Sequence, residues 1–280
     1  MLVQNIRQKI VNRWQNLQRL YHQKTAKVHP QPLLILGHQK SGTTVIAALL
    51  GKVAQQGVTI DPFHQFDLNA ALRQKLYGND LSLKRVIEQH PYYFSTPIIK
   101  DPNFTFLYEP LKECFPQSQY LFVMRDPRDT IRSILNRLKI PGNLSQLTPE
   151  YQNKLRNLSG RGWYFMLQGQ LPQVSGETYI QRLAQRWLVC AEVYQKHEQV
   201  LQLVRYEDFN QNKVETIRNL AKSLGFSTVG DITQAVNKQY QPKGDRAITW
   251  LDFFGQDNLA QIENICGEKM LDFQYLLQQR

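Results

Sequence analysis

Short apolar runs alternate with longer stretches of helical period along most of the chain. Residues 32–36, 97–99, 120–124 and 200–204 are runs of strand length. Between and after them, residues 43–55, 128–138, 181–199 and 213–224 repeat apolar side chains every three or four positions. The stretch 181–199 sets Leu183, Trp187, Cys190, Ala191 and Tyr194 on one side, Pro127 stands at the start of 128–138, and Gly225 closes 213–224. Strands alternating with helices predict an α/β fold, a central parallel β-sheet flanked by helices on both faces.

Two segments leave this pattern. Residues 2–27 have an amphipathic period, with Val3, Ile6, Ile10, Trp14, Leu17 and Tyr21 on one stripe and Arg7, Lys9, Arg13, Arg19, Lys24 and Lys27 between. Such a helix packs on the domain by its apolar stripe or lies on a membrane surface or partner. His29-Pro30-Gln31-Pro32 ends it, dividing the chain into a basic N-terminal helix (1–30) and one domain (31–280). Residues 140–180 are rich in Gly, Gln, Asn, Ser and Pro around Trp163-Tyr164-Phe165. They read as a long irregular insertion, either a lid-like binding loop or a surface excursion.

Charge sharpens the picture. Of 280 residues, 34 are Lys or Arg and 23 Asp or Glu, a net charge of +11. The first 60 residues hold eight of the basic residues and no carboxylate before Asp61, so the basicity is local. Local positive charge points to an anionic ligand or surface. No zinc-finger spacing, basic zipper or RNA-recognition motif speaks for nucleic acid. Three distant cysteines, Cys114, Cys190 and Cys266, argue against a disulfide framework or zinc site and for a reducing cytoplasm. No run is long enough to span a membrane, and no secretory signal is evident.

The first strand runs into Gly37-His38-Gln39-Lys40-Ser41-Gly42-Thr43-Thr44 and then a helix. Glycines allow a tight turn with inward N–H groups, and the helix start adds unpaired donors and partial positive charge, which together suit a phosphate. A Walker A loop would place lysine directly after Gly42; Thr43 stands there, and the cation is Lys40 instead. A second candidate anion site follows the strand 120–124: Arg125 at its carboxyl end and Ser133 eight residues on, about two helical turns away. Arg128 and Arg132 either assist there or balance Asp126 and Asp129.

These residues as a set resemble the PAPS-dependent sulfotransferases. That family carries a 5′-phosphosulfate loop of the Lys/Arg-Ser-Gly-Thr-Thr type, matched by Lys40–Thr44, and a 3′-phosphate motif matched by Arg125 and Ser133. Asp61-Pro62, Lys100-Asp101-Pro102-Asn103-Phe104, Arg205-Tyr206-Glu207-Asp208-Phe209 and Thr249-Trp250-Leu251-Asp252-Phe253 extend the likeness over roughly 32–275. The pattern is nearest the branch with the tyrosylprotein sulfotransferases and bacterial relatives, although that branch has Arg at position 40 and Glu at position 61.

The resemblance implies a P-loop-NTPase-like sulfotransferase fold, PAPS as co-substrate, PAP as product and no metal. Gly37, Gln39, Lys40, Ser41, Gly42, Thr43, Thr44, Arg125, Ser133 and Lys243 would bind the nucleotide. Lys40 would steady the leaving oxygen and Lys100 the transition state. The base is left open among Asp61, His64 and Asp101, an Asp base needing apolar neighbours such as Phe63 and Phe66 to raise its pKa. Aromatic groups at 63–66 and 163–165 are candidates for the acceptor pocket of a small-molecule, carbohydrate or lipid acceptor. A P-loop kinase using ATP, or a non-catalytic nucleotide-binding or membrane adapter, are the competing readings.

Overall fold

The computed structural model describes residues 25–158, 161–171, 174–238 and 248–276. Five strands form one parallel sheet: β1 Leu33–Gly37, β2 Val58–Ile60, β3 Ile98–Lys100, β4 Tyr120–Met124 and β5 Leu201–Arg205, in the order β2-β3-β1-β4-β5. The central strands are continuous apolar runs because both of their faces are covered. Leu34, Leu36, Phe122 and Met124 join one core with Ile131, Leu135, Leu183, Trp187, Ile262 and Met270. Leu33, Ile35, Leu121 and Val123 join the other with Ile46, Leu49, Leu50, Ile217 and Leu220.

The helices are α1 Thr43–Ala54, α2 Pro62–Phe66, α3 Ala71–Tyr77, α4 Leu83–Gln89, α5 Tyr108–Cys114, α6 Pro127–Leu138, α7 Pro149–Arg156, α8 Gly162–Leu167, α9 Tyr179–Lys196, α10 Tyr206–Gln211, α11 Lys213–Ser223 and α12 Trp250–Asp272. α9 begins at a capping box in which Thr178 and Gln181 satisfy each other's backbone N–H groups. α12 begins at Thr249, whose hydroxyl accepts from the Asp252 N–H, and bends at Gly255, φ 68°. None of the described helices is long and apolar enough to cross a membrane.

The segment 140–180 differs from the irregular loop its composition suggests. It holds α7 and α8, and Leu147, Leu155, Met166, Leu167, Leu171 and Val174 are buried in the first core. Its many polar residues mask a sparse set of inward side chains. Residues 2–24 of the expected basic helix, and Lys243, lie outside the described residues.

Candidate functional site

All five strands end at one cleft of about 670 Å³. Lys40 follows β1, Asp61 follows β2, Lys100 is the last residue of β3, Arg125 follows β4 and Tyr206 follows β5, and all of them line it. Parallel α/β sheets place ligands at these carboxyl ends because every strand delivers its connecting loop there.

The turn after β1 is bent by three left-handed residues, Gly37 (φ 140°), Lys40 (φ 71°) and Gly42 (φ 101°). A Cβ on Gly37 would run into the Val123 carbonyl, and one on Gly42 into the Tyr206 ring. Both glycines are therefore required by close approach as well as by backbone angle. Gln39, Lys40, Gly42, Thr43 and Thr44 line the cleft. Gly37 and Ser41 do not. Gly37 N–H donates to Thr105 Oγ1 at 2.9 Å, and the buried Ser41 hydroxyl donates to the His38 carbonyl at 2.7 Å. These two shape the turn from behind.

Lys40 shares the cleft with several other cations. Burial first, then the charges of Arg137, Arg125 and Lys100, lower its pKa to about 8. Lys100 is buried, and its Nζ donates to both Thr44 Oγ1 and Asp61 Oδ1 at 2.8 Å. Asp61 also sits in the left-handed region, φ 50°, with its N–H on the Lys100 carbonyl at 2.7 Å. Non-glycine residues held there mark positions where surrounding structure overrides backbone preference.

The three candidate bases separate clearly. Asp61 and the exposed His64 line the cleft. Asp101 is fully buried. Its carboxylate accepts from Asn103 N–H at 2.9 Å, Asn103 Nδ2 at 2.6 Å and Phe63 N–H at 3.0 Å. Burial, then the Asp61 charge, pushes its pKa up to about 6, but Asp101 serves as a cap that locks α2 against β3. Phe63 and Phe66 also face away from the cleft: Phe63 is core, and Phe66 stacks on His90 at 4.2 Å. Of the group 163–165, Trp163 lines the cleft.

Along the β4 wall of the cleft, Arg125 lies 4.6 Å over the Tyr206 ring and donates to the Lys40 carbonyl at 3.1 Å, while its buried Nε has no partner. Ser133 and Arg132 share that wall. Asp129 braces both arginines, at 3.5 Å from Arg125 and 2.6 Å from Arg132, and accepts Trp250 Nε1–H at 3.0 Å. Burial would raise the Asp129 pKa, but Arg125, Trp250 and Arg132 outweigh it and hold it low. Arg128 is not part of the wall. It is 2% exposed and bound to Asp126, Glu263, the Trp250 face and the Leu276 carbonyl. Glu207 accepts the Asp126 N–H at 3.1 Å, tying the end of β5 to the end of β4.

Sequence reasoning missed Tyr206, Arg186 and Arg73 as cleft residues. Tyr206 carried a signal, an aromatic directly at a strand end; Arg186, within a helical stripe, carried none.

The sheet order, the glycine-bent corner and the cation-lined cleft define an α/β protein with a P-loop-like first turn. Residues 30–249 match the family described as "Sulfotransferase domain", and the chain belongs to the sulfotransferase family. Solved structures resemble it at low identity. STF9 from Mycobacterium avium is 13% identical with a TM-score of 0.51, over 95% of this chain and 82% of that one. The sulfotransferase domain from the curacin biosynthetic pathway is 12% identical with a TM-score of 0.50, over 90% and 100%. Mouse SULT7A1, complexed with PAP, is 15% identical with a TM-score of 0.49, over 90% and 87%. At these identities the likeness is one of fold. No curated protein sequence matches the chain.

Proposed function

We propose that the protein transfers a sulfuryl group from PAPS to an acceptor hydroxyl, or an amine, by in-line displacement. The supporting observation is the convergence of Lys40, Asp61, Lys100 and Arg125 from four strand ends on one cleft. The residues suit the nucleotide. The orphaned, buried Arg125 Nε stands on the same wall as Ser133, fitting a 3′-phosphate, and the Gly42 bend opens the start of α1 to a 5′-phosphate. Lys243, outside the described residues, is a further candidate for the 3′-phosphate.

PAPS supplies an activated sulfuryl group; this chain supplies position, charge and a proton acceptor. Thr43, Thr44 and the loop N–H groups orient the 5′-phosphate. Lys40 carries its charge to the oxygen on which negative charge grows. Asp61 takes the acceptor proton, and Lys100 fixes the Asp61 carboxylate and the Thr44 hydroxyl relative to each other. His64, on the same cleft, is the other candidate for the proton.

PAP is expected to raise the melting temperature, because a ligand at a hundred times its Kd stabilises by about 2.7 kcal/mol. The test is a thermal-shift titration with PAP beside Mg-ATP, followed by an acceptor screen with labelled PAPS. Stabilisation by Mg-ATP alone, with Mg-dependent ATP turnover, would replace this reading by a kinase.

Gly42→Ala tests the turn itself. The added Cβ meets Tyr206 in a left-handed backbone, strain of about 1–3 kcal/mol. Calorimetric titration is expected to show PAP binding weakened by about ten-fold or more. Unchanged binding places the nucleotide elsewhere.

A further inference from the structure

One buried cation of the cleft is not accounted for by the nucleotide. Arg186, on α9, is 1% exposed, yet no carboxylate pairs with it among the described residues. Its Nε donates to Gln39 Oε1 at 3.2 Å, its guanidinium lies 3.6 Å from the Phe106 ring centroid, and its Nη2 has no acceptor. Buried arginines are ordinarily paired, since an isolated charge is costly away from water.

The nearby charges are already engaged. Asp67 is held by Arg73, through Nε at 2.9 Å, and the Asp67 carbonyl accepts Arg73 Nη2–H at 2.8 Å. Asp101 is taken up by Asn103 and the Phe63 N–H, and Asp61 by Lys100. His38 cannot help, because burial and then the charge of Arg186 lower its pKa to about 3, leaving a neutral ring. The Tyr77 hydroxyl donates to Asn103 Oδ1 at 2.8 Å, and its oxygen gives Arg186 a neutral hydrogen-bond partner rather than a counter-charge. Arg186 and Arg73 line the cleft together with Trp163 and Met166 of α8. A planar guanidinium with a buried, unpartnered donor, on a cleft that also has apolar lining, matches a ligand with an apolar body and a terminal oxyanion.

We propose that Arg186 is the specificity-determining residue of the acceptor end: it binds a carboxylate or other oxyanion carried by the acceptor, whose apolar body lies against Trp163 and Met166. The proposal rests on the sulfotransferase reading. It names the acceptors as anionic hydroxy compounds rather than neutral alcohols or phenols.

The test compares the wild type with Arg186→Met and Arg186→Lys. The probes are para-hydroxyphenylacetate and its methyl ester, and a hydroxylated fatty acid and its methyl ester, with PAPS as donor. The wild type is expected to favour the acids in kcat/KM on the order of 10²-fold. The ratio falls to near one in Arg186→Met and is partly kept in Arg186→Lys, which retains the charge without the fork. Ligand-free Arg186→Met is expected to melt above the wild type, because an apolar chain replaces an uncompensated buried charge. A wild type that prefers the esters or acts on none of the acids overturns the proposal, as does a preference that survives in Arg186→Met. So does a ligand-free Arg186→Met that melts below the wild type, since Arg186 would then be a strut for Gln39. A PAP shift in the wild type without acid preference sinks this proposal alone; no PAP shift sinks the sulfotransferase reading.

Discussion

Replacing Lys40 with methionine is expected to slow turnover by about 10²–10³-fold, the usual cost of removing one donor to developing charge. It is also expected to raise the melting temperature of the ligand-free protein. Lys40 is held at a pKa of about 8 by burial and by Arg137, Arg125 and Lys100, against 10.5 for an ordinary lysine. Its folded-state pKa is the lower one, so the unfolded chain binds more protons between pH 8 and 10.5, and this contribution to stability rises with pH through that window. Below pH 8 the charged Lys40 destabilises the empty cleft in full. Methionine removes the charge and leaves the left-handed backbone at φ 71° as it is. The melting difference between variant and wild type should therefore be largest near pH 7 and shrink toward pH 10. Scanning calorimetry across that range, with steady-state rates, checks both halves. Turnover within a few-fold of wild type rejects the catalytic role; a lower melting point at pH 7 rejects the electrostatic account. The same arrangement predicts that nucleotide binding draws a proton onto Lys40 above pH 8, so PAP affinity should fall as pH rises beyond that point.

Asp61→Asn is expected to lower kcat by about 10²–10⁴-fold, the range for losing a positioned general base. The substitution isolates charge from shape. Asparagine tolerates the left-handed backbone that Asp61 adopts, and its amide oxygen can still accept from Lys100 Nζ, now 2.8 Å away. Since the backbone and the Lys100 contact persist, PAP binding should change little while turnover collapses. His64→Ala, at an exposed cleft position, should cost no more than a few-fold. If the losses are exchanged between the two variants, the imidazole is the base. Asp101→Asn is not a clean third arm. An amide at that position accepts fewer bonds than the carboxylate now taking Phe63 N–H and both Asn103 donors, so a fall in its activity would report a loosened α2.

Much of the architecture is legible in the sequence because its signals are local. The runs at 120–124 and 213–224 need only their own side chains to declare strand and helix, and they appear as β4 and α11 within a residue. β2 was not legible: three half-buried residues, Val58–Ile60, carry too short a pattern. Composition misrepresented 140–180, where nine buried apolar side chains among the described residues outweigh a polar majority in placing the chain. Among the base candidates, adjacency in sequence was no guide, since Lys100 enters the cleft while Asp101, its neighbour, turns behind it into the core.

The order of amino acids alone determined the parallel α/β plan and the glycine-bent turn with Lys40, because strand period, glycine conformation and helix starts depend on neighbours a few positions apart. Tertiary structure decided which charges meet. Gln39 and Arg186 are 147 positions apart and share a hydrogen bond, Lys100 and Asp61 are 39 apart and form an ion pair, and Arg128 is buried by Glu263 from the far end of the chain. Charge interactions act through space and depend on burial, and neither is written in the spacing of residues along a strand or helix.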